Sequence, residues 1–532
     1  MQTTSKHSST LVGWWFSVLF ALCAFSSWAT ALTSPFWNDE VLTATVLRLG
    51  SASRIWAALK AGADQQPPFF YWLSSLVIHS PRHTEFWMRA PAIAGFCVLL
   101  LTVFVFMFRA RGPAAALVSA AVLISSGGLY YASEARPYGA MLGCIGVAAV
   151  LWQKRKRGDY SAVTLVALTL TLVAVSALHY FGLFVVMIFG LVEIFIAFRS
   201  RRPDWALLLS LSLAGIPLIC AWSLLQTGAT QYGGAFWARP SLRTLAGAYR
   251  FTLSLPTVGS RILFRFHGTD ITPGFLGPVI LLAIVVGLLL LRSRPSPAGK
   301  PAPRPVSPEL DLALGLFLLP LLAGIAGMVL GVFTPRYAIG SLIGAAMIFG
   351  WAMASLDQRF AYALAALLTL FFVWHQSVQD IVRMAAFSAG EGPSVIAQQE
   401  FAPIFRLAQA GDSIVISDGH LFLEAEYYAD PAIRARLLYL QDHKLAVQFA
   451  GTDSVESTND GVQRYLNLRL ETPAAFLKDH PDFKMASRTG SIGWLPAYLM
   501  HEGAQLETIE SNARGLTISR VRIPSSSSRL SG

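Results

Sequence analysis

Long apolar runs separated by short polar punctuation dominate the first 375 residues, and the pattern changes after them. Runs of near-spanning length fall at roughly 11–32, 90–108, 113–131, 138–152, 162–179, 181–198, 205–225, 272–291, 311–331, 338–355 and 360–375. A helix needs about 20 such residues to cross the hydrocarbon of a bilayer, so these runs predict about eleven transmembrane helices. Beyond residue 375 the runs shorten. Residues 413–417 and 516–523 read as strands, and 420–429 read as a helix. The chain therefore divides into a transmembrane domain, 1–375, and a C-terminal domain, 376–532, of a size that suits one small α/β fold. The serine run at 525–528 reads as disordered.

Composition agrees with a bilayer setting. Of the 532 residues 54% are hydrophobic and 13% charged, against about a quarter charged in soluble domains. The net charge of +11 is uneven: 27 Lys and Arg face 12 Asp and Glu up to His375, and 14 face 18 beyond it. The basic excess thus lies in short loops between apolar runs, where it sets topology, and nucleic acid is excluded as a partner. Cys23, Cys97, Cys144 and Cys220 all fall within apolar runs, which leaves neither a disulfide framework nor a Cys-rich zinc site. Lys6, the apolar run and Ala29-Thr30-Ala31 mimic a secretory signal, but the run outlasts a signal core of about 7–15 residues and reads as a retained helix.

The basic residues occupy every second loop: Arg109 and Arg111, then 154–157, then Arg199, Arg201 and Arg202, then Arg292, Arg294, Lys300 and Arg304, then Arg359. The positive-inside rule puts these loops and the N-terminus in the cytoplasm of a bacterial inner membrane, with the C-terminal domain extracytoplasmic. Residues 292–309, rich in Pro and Ser, read as a linker. Two outer loops are long, 33–88 and 226–270. Stretches 39–49 and 68–78 in the first suit short amphipathic helices along the membrane surface.

Sorted by side, the unusual polar residues converge on the outer face. Asp39 and Glu40 open the first loop, Asp64 precedes Pro67-Pro68, and Arg89 starts the next span. Glu134, Arg136 and Tyr138 mark the following outer turn, His179-Tyr180 the next and Arg336-Tyr337 the last. Ionisable groups at a membrane boundary are costly, so their grouping marks a functional site. The competing reading, that each caps a helix or snorkels, leaves the shared side unexplained. The second loop carries Arg239, Arg243, Arg250, Arg261 and Arg265 against Asp270. Guanidinium groups suit bidentate phosphate binding, and a lipid head group is the natural ligand; general attraction to lipid phosphates is the blander account. Joining a sugar to a hydroxyl needs a carboxylate base and cations for the departing phosphate. Helix neighbours point about 100° apart, so Asp39 and Glu40 do not both aim at one atom, and one of them is structural.

The segments 36–40 (Phe-Trp-Asn-Asp-Glu) and 64–72 (Asp-Gln-Gln-Pro-Pro-Phe-Phe-Tyr-Trp), with Arg89-Ala90-Pro91, the stretch 131–138 and Pro335-Arg336-Tyr337, carry a resemblance. Together and in this order they resemble the polyprenyl-phosphate-dependent glycosyltransferases of the C-type membrane fold (GT-C), which include protein O-mannosyltransferases and the aminoarabinose transferase of lipid A. The resemblance covers the membrane half. It implies a polytopic α-helical fold with surface helices in the first outer loop, a polyprenyl-phosphate sugar donor and a glycolipid, polysaccharide or protein acceptor. It also implies Asp39 as general base, with Glu40 and Asp64 beside it, and Arg136 and Arg336 on the lipid phosphate. Arg89 joins the phosphate-binding candidates, and Glu134, Tyr138, Tyr337 and His179 the substrate-binding ones. One departure matters: many relatives have His directly before Pro-Pro, where this chain has Gln66. His179 or His267 could take that part, although a lone His at a helix end is more often a hydrogen-bonded interface residue, and a divalent cation stays open. A secondary transporter would instead place ionisable groups within spans, where Glu193 is the sole carboxylate. A non-catalytic envelope assembly or sensor protein would not require Asp39, Asp64 and Arg136 to approach one cavity.

Overall fold

The structure is a computed structural model that describes residues 2–77, 83–232, 235–253, 307–356, 358–489, 493–512 and 514–524. The apolar run 272–291, most of the linker 292–309, Arg261, Arg265, His267, Asp270 and the serine run 525–528 lie outside the described residues.

The chain starts with α1 (Gln2–Thr33) and three short helices, α2 (Asn38–Leu47), α3 (Ala52–Lys60) and α4 (Pro68–Ser75). Next come α5 (Thr84–Arg111), α6 (Pro113–Ile124) with a 3-10 turn at Gly127–Ser133, α7 (Tyr138–Lys156), α8 (Ala162–Leu178) and α9 (Gly182–Ser200). α10 (Trp205–Leu213), α11 (Ile216–Cys220) and α12 (Trp222–Gln231) form a bent unit before α13 (Leu242–Leu253). α14 (Pro308–Phe317), α15 (Leu319–Leu330), a 3-10 turn at Pro335–Ala338 and α16 (Ser341–Leu356) follow. α17 (Gln358–Phe372) passes through a π-turn, Val373–Ser377, into α18 (Val378–Ser388).

Four of the described helices are long and apolar enough to cross a membrane, or seven if each bent pair is one span, with two shorter apolar helices besides. The expected runs 113–131, 205–225 and 311–331 are each broken, by 67°, 56° and 42°. At the third break Pro320 supplies no N–H and cannot continue α14. At the first, Ser126 Oγ accepts the Gly128 N–H and starts a new turn. The last apolar helix runs on past His375, where the sequence divided the chain, to Ser388.

α5 and α7 cross closely because small residues meet there. A Cβ on Gly95, Gly139 or Gly143 would strike the opposing backbone within 2.5 Å. At one end of the bundle the basic loop residues form ion pairs between helices: Arg155 with Asp204 (2.6 Å), Lys156 with Glu193 (2.5 Å), Arg157 with Glu309 (2.9 Å) and Arg199 with Asp311 (3.0 Å). Glu193, within the span formed by α9, also accepts the Trp152 indole N–H at 2.5 Å.

The C-terminal domain opens with α19 (Pro393–Glu400) and α20 (Ala402–Gln409). Its sheet has strands β1 (Ile414–Ile416), β2 (Leu437–Leu440), β3 (Leu470–Glu471), β4 (Asp482–Arg488), β5 (Gln505–Ser511) and β6 (Leu516–Arg522), in the order β3-β2-β1-β4-β6-β5. The first four are parallel, and β6 pairs antiparallel with β4 and β5. Between β1 and β2 runs α21 (Gly419–Tyr428), and between β2 and β3 run α22 (His443–Ala450) and α23 (Ser454–Leu466). Val415 on one face of β1 packs with Leu438, Phe483 and Trp494. On the other face Ile414 and Ile416 share a core with Phe36, Val41, Val46, Tyr71 and Met88 of the first long loop. Alternation along a strand explains the two cores. The second core joins the sheet to the loop, so α2 is sandwiched and buried, not laid on a membrane surface as its pattern suggested. A Cβ on Gly461 of α23 would come within 2.2 Å of the Gly62 carbonyl, a mark of equally close docking.

Candidate active site

Pro35, Phe36 and Trp37 run extended into α2, whose first turn carries Asp39 and Glu40 at the end that favours anions. Helical spacing turns the two carboxylates apart. Glu40 points back into the fold, where its oxygens accept Arg89 Nε (2.7 Å) and Nη2 (2.6 Å) and the Ala135 N–H (2.7 Å). The remaining Arg89 donors go to the carbonyls of Ala31, Ser34 and Pro35. A guanidinium has five N–H donors, and here all are taken within protein. Arg89 has none for a donor phosphate, contrary to the sequence expectation, and Glu40 lies behind the cavity and not in it.

Asp39 faces a cavity of about 1380 Å³ and accepts Arg336 Nη1 at 2.8 Å through Oδ2. Burial alone would raise the Asp39 carboxyl, but the charges of Arg336, Arg136 and His420 outweigh it and hold its pKa below the ordinary 3.8. Arg336 stands on the 3-10 turn after α15, its guanidinium 5.4 Å from the centre of the Trp237 ring. Asp64 pairs with Arg136 Nη1 (2.5 Å) and also accepts the Tyr71 hydroxyl and the Gln65 N–H, each at 2.6 Å. Arg136 reaches the Asp39 carbonyl (3.2 Å) and Thr43 Oγ1 (3.1 Å) besides. Asp39, Asp64 and Arg136 thus line one cavity, the arrangement that a scattered constellation would have denied.

Arg336, Tyr337 and His179 line it too, with Tyr337 stacked on Phe181 at 4.2 Å. Glu134 and Tyr138 are buried and do not line it; Tyr138 packs its ring 5.2 Å from His179. Of the second-loop arginines, Arg239 lines the cavity and donates to the Gly451 carbonyl at 2.8 Å, while Arg243 and Arg250 sit on α13 away from the lining. Gln66 lines the wall as well. Among the described residues no group of three His, Cys, Asp or Glu is placed to hold a metal ion, and Asp39 and Asp64 each already serve an arginine. Among the described residues, the donor set of the cavity does not fit a divalent cation.

Sequence reasoning missed the opposite wall. The C-terminal domain supplies His420, Leu423, Thr452, Ser454, Val455 and Thr458, fastened by Trp237 N–H to Ser454 Oγ (3.1 Å) and by Tyr232 with Thr458 (3.1 Å). Glu424 Oε1 accepts the Asn38 N–H at 3.0 Å, at the very start of α2. No motif announces these contacts, which depend on how the two domains dock. One flank of the cavity is apolar, with Phe184, Leu218, Trp222, Leu225, Leu330 and Val332.

No protein-family model matches the sequence, and no curated protein does. Among solved structures, ArnT from Cupriavidus metallidurans bound to undecaprenyl phosphate is similar with a TM-score of 0.52 at 13% identity, over 96% of this chain and 98% of that one. ArnT is a GT-C glycosyltransferase. This chain shares its fold. The Archaeoglobus fulgidus oligosaccharyltransferase in complex with Zn and sulfate has a TM-score of 0.44 at 11% identity, over 88% of this chain and 68% of that one. Identity this low speaks for architecture alone.

Proposed function

We propose that this chain is a membrane glycosyltransferase that moves a sugar from a polyprenyl-phosphate carrier to an acceptor hydroxyl, with inversion, on the extracytoplasmic face of a bacterial inner membrane. The observation that carries the reading is the Asp39–Arg336 pair, a carboxylate and a guanidinium 2.8 Å apart facing one cavity with an apolar flank. The isoprenoid chain lies along Phe184, Leu218, Trp222, Leu330 and Val332, and the phosphate lies at Arg336 with Arg136 beside it. The choice of carrier is supported by the undecaprenyl phosphate bound to ArnT, whose fold this is.

Asp39 takes the proton of the acceptor hydroxyl as its oxygen attacks the anomeric carbon from the side opposite the phosphate. The bond from anomeric carbon to phosphate oxygen breaks, and that oxygen keeps the electron pair. The phosphate leaves with one more negative charge, which Arg336 and Arg136 stabilise. Asp64 orients Arg136, and Glu40 with Arg89 fixes α2. The C-terminal domain walls the acceptor side.

The test supplies membranes with a panel of radiolabelled polyprenyl-phosphate sugars and follows the label. The wild-type chain moves one label onto an acceptor, and Asp39→Asn, expressed equally, moves it about a hundred- to ten-thousandfold more slowly. If no label moves with the wild type, the reaction class is wrong; full transfer by Asp39→Asn removes the base.

A further inference from the structure

We infer that His179 is a neutral N–H donor to the phosphate in this cavity, a catalytic residue that favours the departing phosphate monoester over the sugar-bearing diester. The inference rests on the reading above and deepens it.

His179 ends α8 in an extended conformation (φ −152°, ψ 132°), and the chain turns at once into α9, with the Gly182 N–H donating to the His179 carbonyl at 2.8 Å. Within that turn the Phe181 N–H donates to His179 Nδ1 at 3.1 Å. An imidazole nitrogen that accepts a hydrogen bond carries a lone pair, so the proton of the neutral ring sits on Nε2. Backbone geometry therefore fixes the tautomer. His179 is 3% exposed, and Nε2 has no hydrogen-bond partner among the described residues. A buried N–H left without an acceptor costs about 1–3 kcal/mol, a cost that a ligand removes.

The surroundings specify an anion. His179, Arg136 and Arg336 all line the cavity, and Nε of Arg136 and Nε of Arg336 are likewise buried without a partner. Three unpartnered N–H groups, on three separate segments, thus belong to residues that line one cavity. The groups facing the imidazole are Arg136 and Tyr138 at the start of α7, and Arg336 and Tyr337 on the 3-10 turn. Burial, then the charges of Arg336 and Arg136, push its pKa down to about 3, so it stays uncharged across the physiological range. A neutral donor adds no charge to two nearby guanidiniums, yet its bond strengthens as the phosphate gains charge on leaving.

The test titrates the purified full chain with farnesyl phosphate by calorimetry, with inorganic phosphate and farnesol as separate arms. Farnesyl phosphate binds the wild type, and neither half alone matches it; inorganic phosphate binding equally well would make the site one for a free anion and overturn the lipid assignment. His179→Leu weakens farnesyl phosphate by about tenfold or more, and His179→Gln, which keeps an N–H donor, stays within about threefold of wild type. The ratio of wild type to His179→Leu does not rise as pH falls from 8 to 5.5, whereas an imidazolium would raise it below about 6.5. In the unmutated chain, ¹⁵N-histidine spectra show Nε2 protonated and Nδ1 bare, with Nε2 shifting on binding, a readout independent of how the variants fold. If the wild type binds no farnesyl phosphate, the donor class fails, and this inference with it. If it binds and His179→Leu binds equally well, or the spectra show the other tautomer, only the inference fails.

Discussion

Asp39 and Glu40 are neighbours on α2, each is salt-bridged to an arginine, and the two pairs have opposite characters. The Glu40–Arg89 pair is closed, with side chains 1% and 0% exposed and every guanidinium N–H committed. The Asp39–Arg336 pair is open, 15% and 19% exposed, facing the cavity with Arg336 Nε unpartnered. A saturated guanidinium holds backbone together and can do little else. An unsaturated one can exchange partners, and a phosphate arriving at Arg336 competes with Asp39 for it. On the proposed function, such an exchange would free the carboxylate just when a base is required. The distinction thus lies in how many donors are already spent and not in residue type.

The largest expected effect breaks the closed pair. Arg89→Met leaves the Glu40 carboxylate buried without its cation, and removing one partner of a buried pair costs about 3–5 kcal/mol. Thermal unfolding of the purified protein should show that loss, with Asp39→Asn as the contrasting variant, within about 1 kcal/mol of wild type because its pair is partly solvated. Equal destabilisation by both variants would erase the distinction.

A second measurement sharpens the open pair. Because the folded pKa of Asp39 is lowered, the carboxylate stays charged as pH falls through the ordinary range and is lost only below 3.8. Its contribution to stability follows the same sign: present above the unfolded value and lost as pH falls through the folded one. The acid limb of kcat/KM, which reports the free enzyme, should lie below that of an ordinary carboxylate. The kcat limb should lie higher, since bound phosphate engages Arg336. Arg336→Gln should raise the kcat/KM limb, because the largest charge that lowers the Asp39 pKa is gone. Coincident limbs for kcat and kcat/KM in the wild type would mean that no exchange takes place.

Much of this contrast was legible beforehand, for a local reason. Two acidic residues in one helical turn diverge by geometry, so one of Asp39 and Glu40 had to face away, although helix geometry alone did not say which. The apolar runs gave the positions of α1, α5, α8 and α9 because period and length are local properties. The breaks within 113–131, 205–225 and 311–331 escaped, since hydropathy registers apolarity and not the angle between half-helices. The strands at Ile414–Ile416 and Leu516–Arg522 were readable too. Arg89 looked like a phosphate ligand because guanidinium chemistry is the same wherever it sits; only the carbonyls of Ala31, Ser34 and Pro35 reveal that its donors are spent. The wall made by His420, Ser454 and Thr458 was not legible, because it depends on docking between segments more than 200 residues apart in the chain.

That docking yields the smallest expected effect. Trp37 offers α2 no side-chain cap, and the first N–H of the helix, on Asn38, is accepted instead by Glu424 of the C-terminal domain at 3.0 Å. Arg488 holds Glu424 in turn (3.3 Å) and is itself anchored by Glu400 (2.9 Å). Both carboxylates of the comparison therefore ride on a helix whose start is fixed from the other domain. Glu424→Gln keeps an oxygen for the Asn38 N–H but removes its charge. A charge-assisted bond exceeds a neutral one by about 1 kcal/mol, and Arg488 keeps Glu400 as its counter-ion, so stability should fall by about that much. Because α2 also aims Asp39, kcat should fall as well, by up to about tenfold, with the acid limb unmoved. A drop in stability with kcat untouched would show that Glu424 fastens the domain without setting the angle of α2.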